Sequence, residues 1–170
     1  MQLNDRVLLD FLEEIDKELE KRITLVAVGG TALTLLGAKP STIDVDLTLP
    51  PDDYDEFQRA LARVPVGFDV HCFQGSMIFS QDLPDDYLDK SSPVKTKMKN
   101  IELRTLSPLD IVVTKIGRLD QRDKEDIATC IRRFGLTKEQ VAERAKQVSY
   151  VGREENYEIN LKYTLANFFE

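Results

Sequence analysis

Two cysteines, Cys72 and Cys130, are all the chain contains. That is too few for a disulfide framework, and neither sits in a Cys-x-x-Cys pair. Long apolar runs are missing as well, and no stretch approaches the roughly 20 residues of a membrane span. Positive charge is in the minority: 23 Lys and Arg stand against 30 Asp and Glu, for a formal net charge of −7. A general electrostatic grip on polynucleotide is therefore not the expectation, although a local basic patch is compatible with this balance. There is no GxxxxGK[ST] loop, no GxGxxG turn, no internal repeat and no low-complexity tail. The opening MQLNDRVLLDFLEEIDKELEKR is too acidic for a secretory or transit leader. These absences point to a soluble, cytoplasmic protein without membrane contact. What is present is ordinary: 42% hydrophobic and 31% charged residues over 170 positions suit one domain, or one with a small appendage.

Periodicity predicts an amphipathic helix over residues 5–20, with Val7, Leu8, Phe11, Leu12, Ile15 and Leu19 on one face and Asn4 or Asp5 as cap. ITLVAV (Ile23–Val28) reads as a buried strand closed by Gly29-Gly30, and Thr31–Leu36 as a short helix ending at Gly37. TIDVDLTL (Thr42–Leu49) alternates like a strand, and a helix capped by Asp52 or Asp53 follows it. Val66–Phe73 is a third strand. Residues 75–100 read as a loop excursion with one candidate strand, and Ile101–Leu106 as a last strand. Everything after it reads as helical: Ser107 to about Leu119, Asp123–Phe134, Thr137–Val148 and Glu154–Phe169. The expected class is α+β, a small mixed sheet with flanking helices over residues 1–106 and a helical part over 107–170.

Asp44 and Asp46 are the first candidates for chemistry. A strand repeats its faces every two residues, so both carboxylates project from one side, about 6–7 Å apart. Ile43, Val45 and Leu47 take the other side. Like charges on one face repel, and Asp is a poor strand residue, so the pair is a local conflict of the kind that marks function. Such a pair suits Mg²⁺, which takes one or two carboxylates and completes its shell with water and phosphate oxygens. An exposed face with merely solvated acids is the bland alternative. Gly29-Gly30-Thr31 precedes the pair. A strand ending in Gly-Gly offers free backbone N–H groups that phosphate can approach, and Thr31 adds a hydroxyl. Together the two features supply what an NTP–metal complex needs.

Apolar-Gly-Gly-Thr, a short helix, then Thr-x-Asp-Val-Asp-Leu resembles the signature of the DNA polymerase β-like nucleotidyltransferase superfamily. Its spacing is similar to that of small prokaryotic families related to the abortive-infection (type IV) toxin nucleotidyltransferases. A later segment, LDIVVTKIGRLDQRDKEDI (Leu109–Ile127), resembles the second motif of those families. The resemblance implies a nucleotidyltransferase fold, a Mg²⁺ (or Mn²⁺) cofactor and an NTP substrate. It also implies a third carboxylate on a neighbouring strand, for which Asp69 in GFDVHCF is the matching position. Asp44, Asp46 and Asp69 are then the expected metal and catalytic residues, with Gly29, Gly30 and Thr31 on the nucleotide. Relatives commonly carry arginine where this chain has Pro40, with Lys39 beside it. The acceptor is left open among RNA, protein and small molecule. A toxin–antitoxin or defence setting, with an antitoxin partner or a homodimer, rests on the resemblance alone. A catalytically silent, nucleotide-binding regulator of the same fold is the rival reading.

Helical spacing would put Lys115, Arg118 and Arg122 on one stripe, with Lys115 and Arg118 as candidate phosphate ligands. Salt bridges to Asp120, Asp123 and Asp126 are the structural alternative. His71, the only histidine, shares the face of Asp69 and reads more simply as a packing residue. The lysines from Lys90 to Lys99 form the most basic segment, a solvated loop or a steering patch.

Overall fold

The computed structural model describes residues 1–169. The first half of the chain runs α1 (Asp5–Glu18), β1 (Ile23–Ala27), α2 (Gly29–Leu35), β2 (Val45–Leu49), α3 (Pro51–Leu61) and β3 (Val70–Gln74). Short elements follow: β4 (Met77–Ile78), β5 (Gln81–Asp82), α4 (Tyr87–Lys90) and β6 (Ser92–Pro93). The remainder is β7 (Ile101–Thr105), α5 (Pro108–Val113), α6 (Gln121–Phe134), α7 (Lys138–Lys146), β8 (Ser149–Tyr150) and α8 (Glu154–Asn167). The class is α+β, as expected. Among the described residues no helix is long and apolar enough to cross a membrane.

The chain divides into two compact units, one of residues 1–75 and 91–105, the other of residues 76–90 and 106–170. The first carries strands in the order β6-β7-β1-β2-β3. β1 runs parallel to β7 and antiparallel to β2, β2 runs parallel to β3, and β6 runs antiparallel to β7. Leu25, Val26, Ala27, Leu47 and Leu49 are fully buried, which accounts for the β-branched and leucine-rich character of β1 and β2. Helix α1 is capped by Asn4, whose carboxamide oxygen accepts from Val7 N, and buries Leu8, Phe11, Leu12 and Ile15. Phe11 meets Phe68 edge to face, with centroids 5.2 Å apart. Strand β3 starts at Val70 rather than Val66, so Phe68 belongs to the lead-in that packs on α1. Asp53 does not cap α3. It lies in the first turn and accepts from Thr24 N at 3.0 Å, tying the helix to β1.

The second unit is held by helix caps and buried ion pairs. Ser107 caps α5, and reciprocal pairs cap α6 (Asp120 with Asp123) and α7 (Thr137 with Gln140). The Arg144 guanidinium clasps Asp110 with two bonds, Nε to Oδ1 at 2.6 Å and Nη2 to Oδ2 at 3.0 Å, and both side chains are enclosed. The expected long helix from Ser107 stops at Val113. Thr114 Oγ1 turns back to the carbonyls of Asp110 and Ile111, and Gly117 N donates to Gln81 Oε1 at 3.0 Å. A β-carbon at Gly117 would collide with the Gln81 side chain, so the approach requires glycine. Leu119 then takes a left-handed backbone at φ 53 before α6 begins. The tail after β7 is not wholly helical either. β8 pairs with β5, and Val151 N donates to Ser80 O at 2.9 Å.

Two predictions follow the energetics of these contacts. Removing Arg144 leaves Asp110 buried without a counter-charge, so Arg144→Ala should destabilise the protein by about 3–5 kcal/mol in chemical denaturation. Glu56 accepts from Arg59 Nε at 2.8 Å and from Glu20 N, and Arg59 foremost holds its carboxyl at about 2, below the usual 4.5. A lowered carboxylate stabilises the fold above its unfolded value and loses that contribution as pH falls through its folded one. The stability difference between wild type and Glu56→Gln should therefore be constant above about pH 5, shrink below about 4.5 and vanish near about 2.

Candidate active site

The Gly-Gly turn and β2 are fastened to each other by one hydroxyl. Thr31 Oγ1 accepts from Asp46 N at 2.9 Å and donates to Asp44 O at 3.3 Å. Val28 N adds a bond to Asp46 O at 3.0 Å. Thr31 is thus engaged by the backbone on both sides of Val45, and it fixes where the two carboxylates stand. Gly29 takes φ 54, a left-handed conformation that side chains resist. A β-carbon on Gly30 would lie 2.9 Å from Thr42 Oγ1 and 3.5 Å from Lys39 Nζ. The Lys39 ammonium therefore lies close to the turn.

Strand pairing brings a third group to the acids. Asp46 sits opposite His71 in the β2–β3 register, and His71 Nδ1 lies 2.8 Å from Asp46 Oδ1 and 3.9 Å from Asp44 Oδ2. One ligand atom from each of Asp44, Asp46 and His71 falls within 4.8 Å of the others. The Asp46 carboxylate, through its hydrogen bond, holds His71 above its ordinary value; burial works against this, and the charges of Asp46, Asp44 and Asp69 add to it. The side chains of Asp46, Asp44 and His71 are 10%, 28% and 51% exposed, so the group is rooted in the sheet and open on one side. Two carboxylate oxygens and one imidazole nitrogen at these separations suit a small divalent cation.

Asp69 stands just before β3. Its carbonyl accepts from Val45 N at 2.9 Å, which places it beside Asp44 in the same alternation, and its side chain is exposed. It is not in the three-residue group. Lys115 and Arg118 belong to the second unit. Because α5 ends at Val113, they do not form a helical stripe with Arg122. Lys115 Nζ, 5% exposed, lies 3.2 Å from Asp123 and 3.1 Å from Asp126. Arg118, more than half exposed, makes two bonds of 2.7 and 2.8 Å to Asp123. Both line a cavity of about 460 Å³ with Phe79, Gln81, Tyr150 and Asp123. His71 is the site residue that the sequence undervalued; its one signal was its parity with Asp69. Cys72, half-buried on the same strand, is a poor nucleophile, since burial pushes its thiol to about 11.

The mixed sheet with its flanking helices is the fold of a nucleotidyltransferase. The chain belongs to the family described as "Nucleotidyltransferase of unknown function (DUF6036)", whose model matches residues 6–169. No curated protein matches it in sequence. Two solved structures share the fold. One is the antibiotic-resistance factor ANT(2'')-Ia, whose solution structure is reported to reveal substrate-regulated conformation dynamics. It has a TM-score of 0.56 and 14% identity, over 84% of this chain and 91% of that one. The other is an antigenic nucleotidyltransferase-like protein from Paracoccidioides brasiliensis, with a TM-score of 0.52 and 16% identity, over 100% of this chain and 97% of that one. At these identities the likeness is one of fold.

The Thr31 hydroxyl gives this subsection its test. Thr31→Val leaves the enclosed Asp46 N–H without its partner and should cost about 1–3 kcal/mol in denaturant unfolding. Thr31→Ser keeps the hydroxyl and should cost about 1 kcal/mol or less.

Proposed function

We propose that the protein transfers a nucleoside monophosphate from an NTP to a hydroxyl-bearing acceptor at the Asp44–Asp46 site. The observation that carries this reading is the convergence of Asp44, Asp46 and His71 beside a glycine turn with Lys39 close to it. Gly29 and Gly30 let the triphosphate approach the backbone, and Lys39 supplies positive charge beside them. Thr31 orients both carboxylates. Asp44 and Asp46, with Asp69 as a further acid, would hold a divalent cation, which would neutralise the triphosphate and make the acceptor hydroxyl more acidic. The acceptor oxygen then bonds to the α-phosphorus as the bond to the departing pyrophosphate breaks. The hydroxyl proton leaves to solvent or to Asp69. Lys115 bonds to Asp123 and Asp126, and Arg118 to Asp123, in the second unit; the proposal for phosphate contact rests on the glycine turn with Lys39 beside it.

RNA, protein and small hydroxylated molecules remain the acceptor classes, with the net charge of −7 weighing against an extended nucleic-acid grip. Cytoplasmic action, and a toxin–antitoxin or defence role with an antitoxin partner, belong to the same proposal and rest on family resemblance.

Incubation with each α-³²P-labelled NTP, Mg²⁺ or Mn²⁺, and cellular RNA, lysate or small polyols should yield a labelled acceptor. Asp44→Asn and Asp46→Asn should each lower that yield at least about 10²-fold. Undiminished transfer in both variants would contradict the assignment. Nucleotide binding without any product would favour the silent regulator.

A further inference from the structure

We infer that His71 is a metal ligand, and that this imidazole makes the site prefer a first-row transition ion such as Mn²⁺ over Mg²⁺. The inference rests on the metal-dependent reading of the Asp44–Asp46 site and goes beyond it by naming the third ligand and the ion it selects. Three observations support it. First, the β2–β3 register sets His71 directly beside Asp46, on the face that carries the acids, and a parallel pair cannot move it to the other face without a slip of one residue. Second, the distances fit a coordination shell. Neighbouring ligands of a near-octahedral ion with bonds of about 2.1 Å lie about 3 Å apart, and opposite ones about 4.2 Å. His71 Nδ1 is 2.8 Å from Asp46 Oδ1 and 3.9 Å from Asp44 Oδ2. Third, among the described residues Asp69 stays outside the group of ligand atoms that lie within 4.8 Å of one another, so His71 supplies that group's third ligand atom.

The chemistry of the donor set then decides the ion. Carboxylate, carbonyl and water oxygens suit Mg²⁺, whereas an imidazole nitrogen suits the transition ions, which bind nitrogen more strongly. For His71 to ligate through Nδ1, its proton must sit on Nε2, and the contact with Asp46 Oδ1 becomes an edge of the metal shell instead of a hydrogen bond. With two carboxylates already in place the ion is held by charge, and the imidazole adds discrimination.

His71 is the sole histidine, so in tag-free protein any imidazole signal has a single source. Mn²⁺ binding would be followed by isothermal titration and by pulsed electron paramagnetic resonance, with Mg²⁺ titrated in parallel. Wild type should bind Mn²⁺ about tenfold or more tighter than Mg²⁺ and show ¹⁴N modulation from a bound imidazole. His71→Asp should abolish the modulation, keep Mg²⁺ binding and bring the two ions within a few-fold of each other. Thermal melting of each variant without metal checks that the fold persists. Mn²⁺ binding that Asp44→Asn removes, but with no ¹⁴N modulation in wild type, would overturn the role of His71 and leave the metal site standing. Failure of wild type to bind either ion better than Asp44→Asn would overturn the metal site itself, and this inference with it.

Discussion

Two carboxylates of like charge stand two residues apart, Asp46 in β2 and Asp44 just before it, and several contacts of the first unit keep them there. Left alone, Asp44 and Asp46 would repel each other and loosen the start of β2. Three contacts oppose that tendency. Thr31 binds the backbone of both residues, Val28 N holds the Asp46 carbonyl, and Val45 N is anchored to Asp69 O. The side-chain charge is met by His71 across the register, and the Asp46 side chain is largely enclosed. A buried threonine and a left-handed glycine thus position two acids that a strand does not favour.

The same constraint explains why the glycine turn and the acids cannot be separated. Gly29 and Gly30 begin α2, and the hydroxyl of the next residue is what registers β2 against it. Moving the turn would move the carboxylates. The Lys39 ammonium, close to Gly30, completes a short stretch of chain in which backbone amides, one cation and two anions are brought together. The second unit has a separate logic. There buried charges neutralise one another between elements, Arg144 with Asp110 and Lys115 with Asp123 and Asp126.

How much of this could be read from the sequence depends on whether the signal was local. The Gly-Gly turn, the opening of α5 at Ser107-Pro108 and the helix that ends at Phe134 are short-range features, and each was legible. The alternation expected over Thr42–Leu49 was not found: β2 begins at Val45 and is buried on both faces, and Ile43 is exposed. The end of α5 was not legible, because it is set by Gln81, far away in the chain, pressing on Gly117. Asp53 reads as a cap but answers to Thr24 in a neighbouring strand. The grouping of residues 76–90 with the C-terminal helices is likewise long-range, through the β5–β8 pair and the Asp86–Arg144 contact. His71 fell between the two cases. Its parity with Asp69 was visible, but its place opposite Asp46 depends on a strand register that no local pattern specifies.

The most direct measurement of the central claim is a crystal structure with a non-hydrolysable NTP analogue and Mn²⁺, with the ion located by its anomalous scattering. The account predicts an anomalous peak within bonding distance of Asp44 and Asp46, and the triphosphate lying along Gly29 and Gly30 beside Lys39. A nucleotide bound elsewhere, with no ion between the two aspartates, would contradict it.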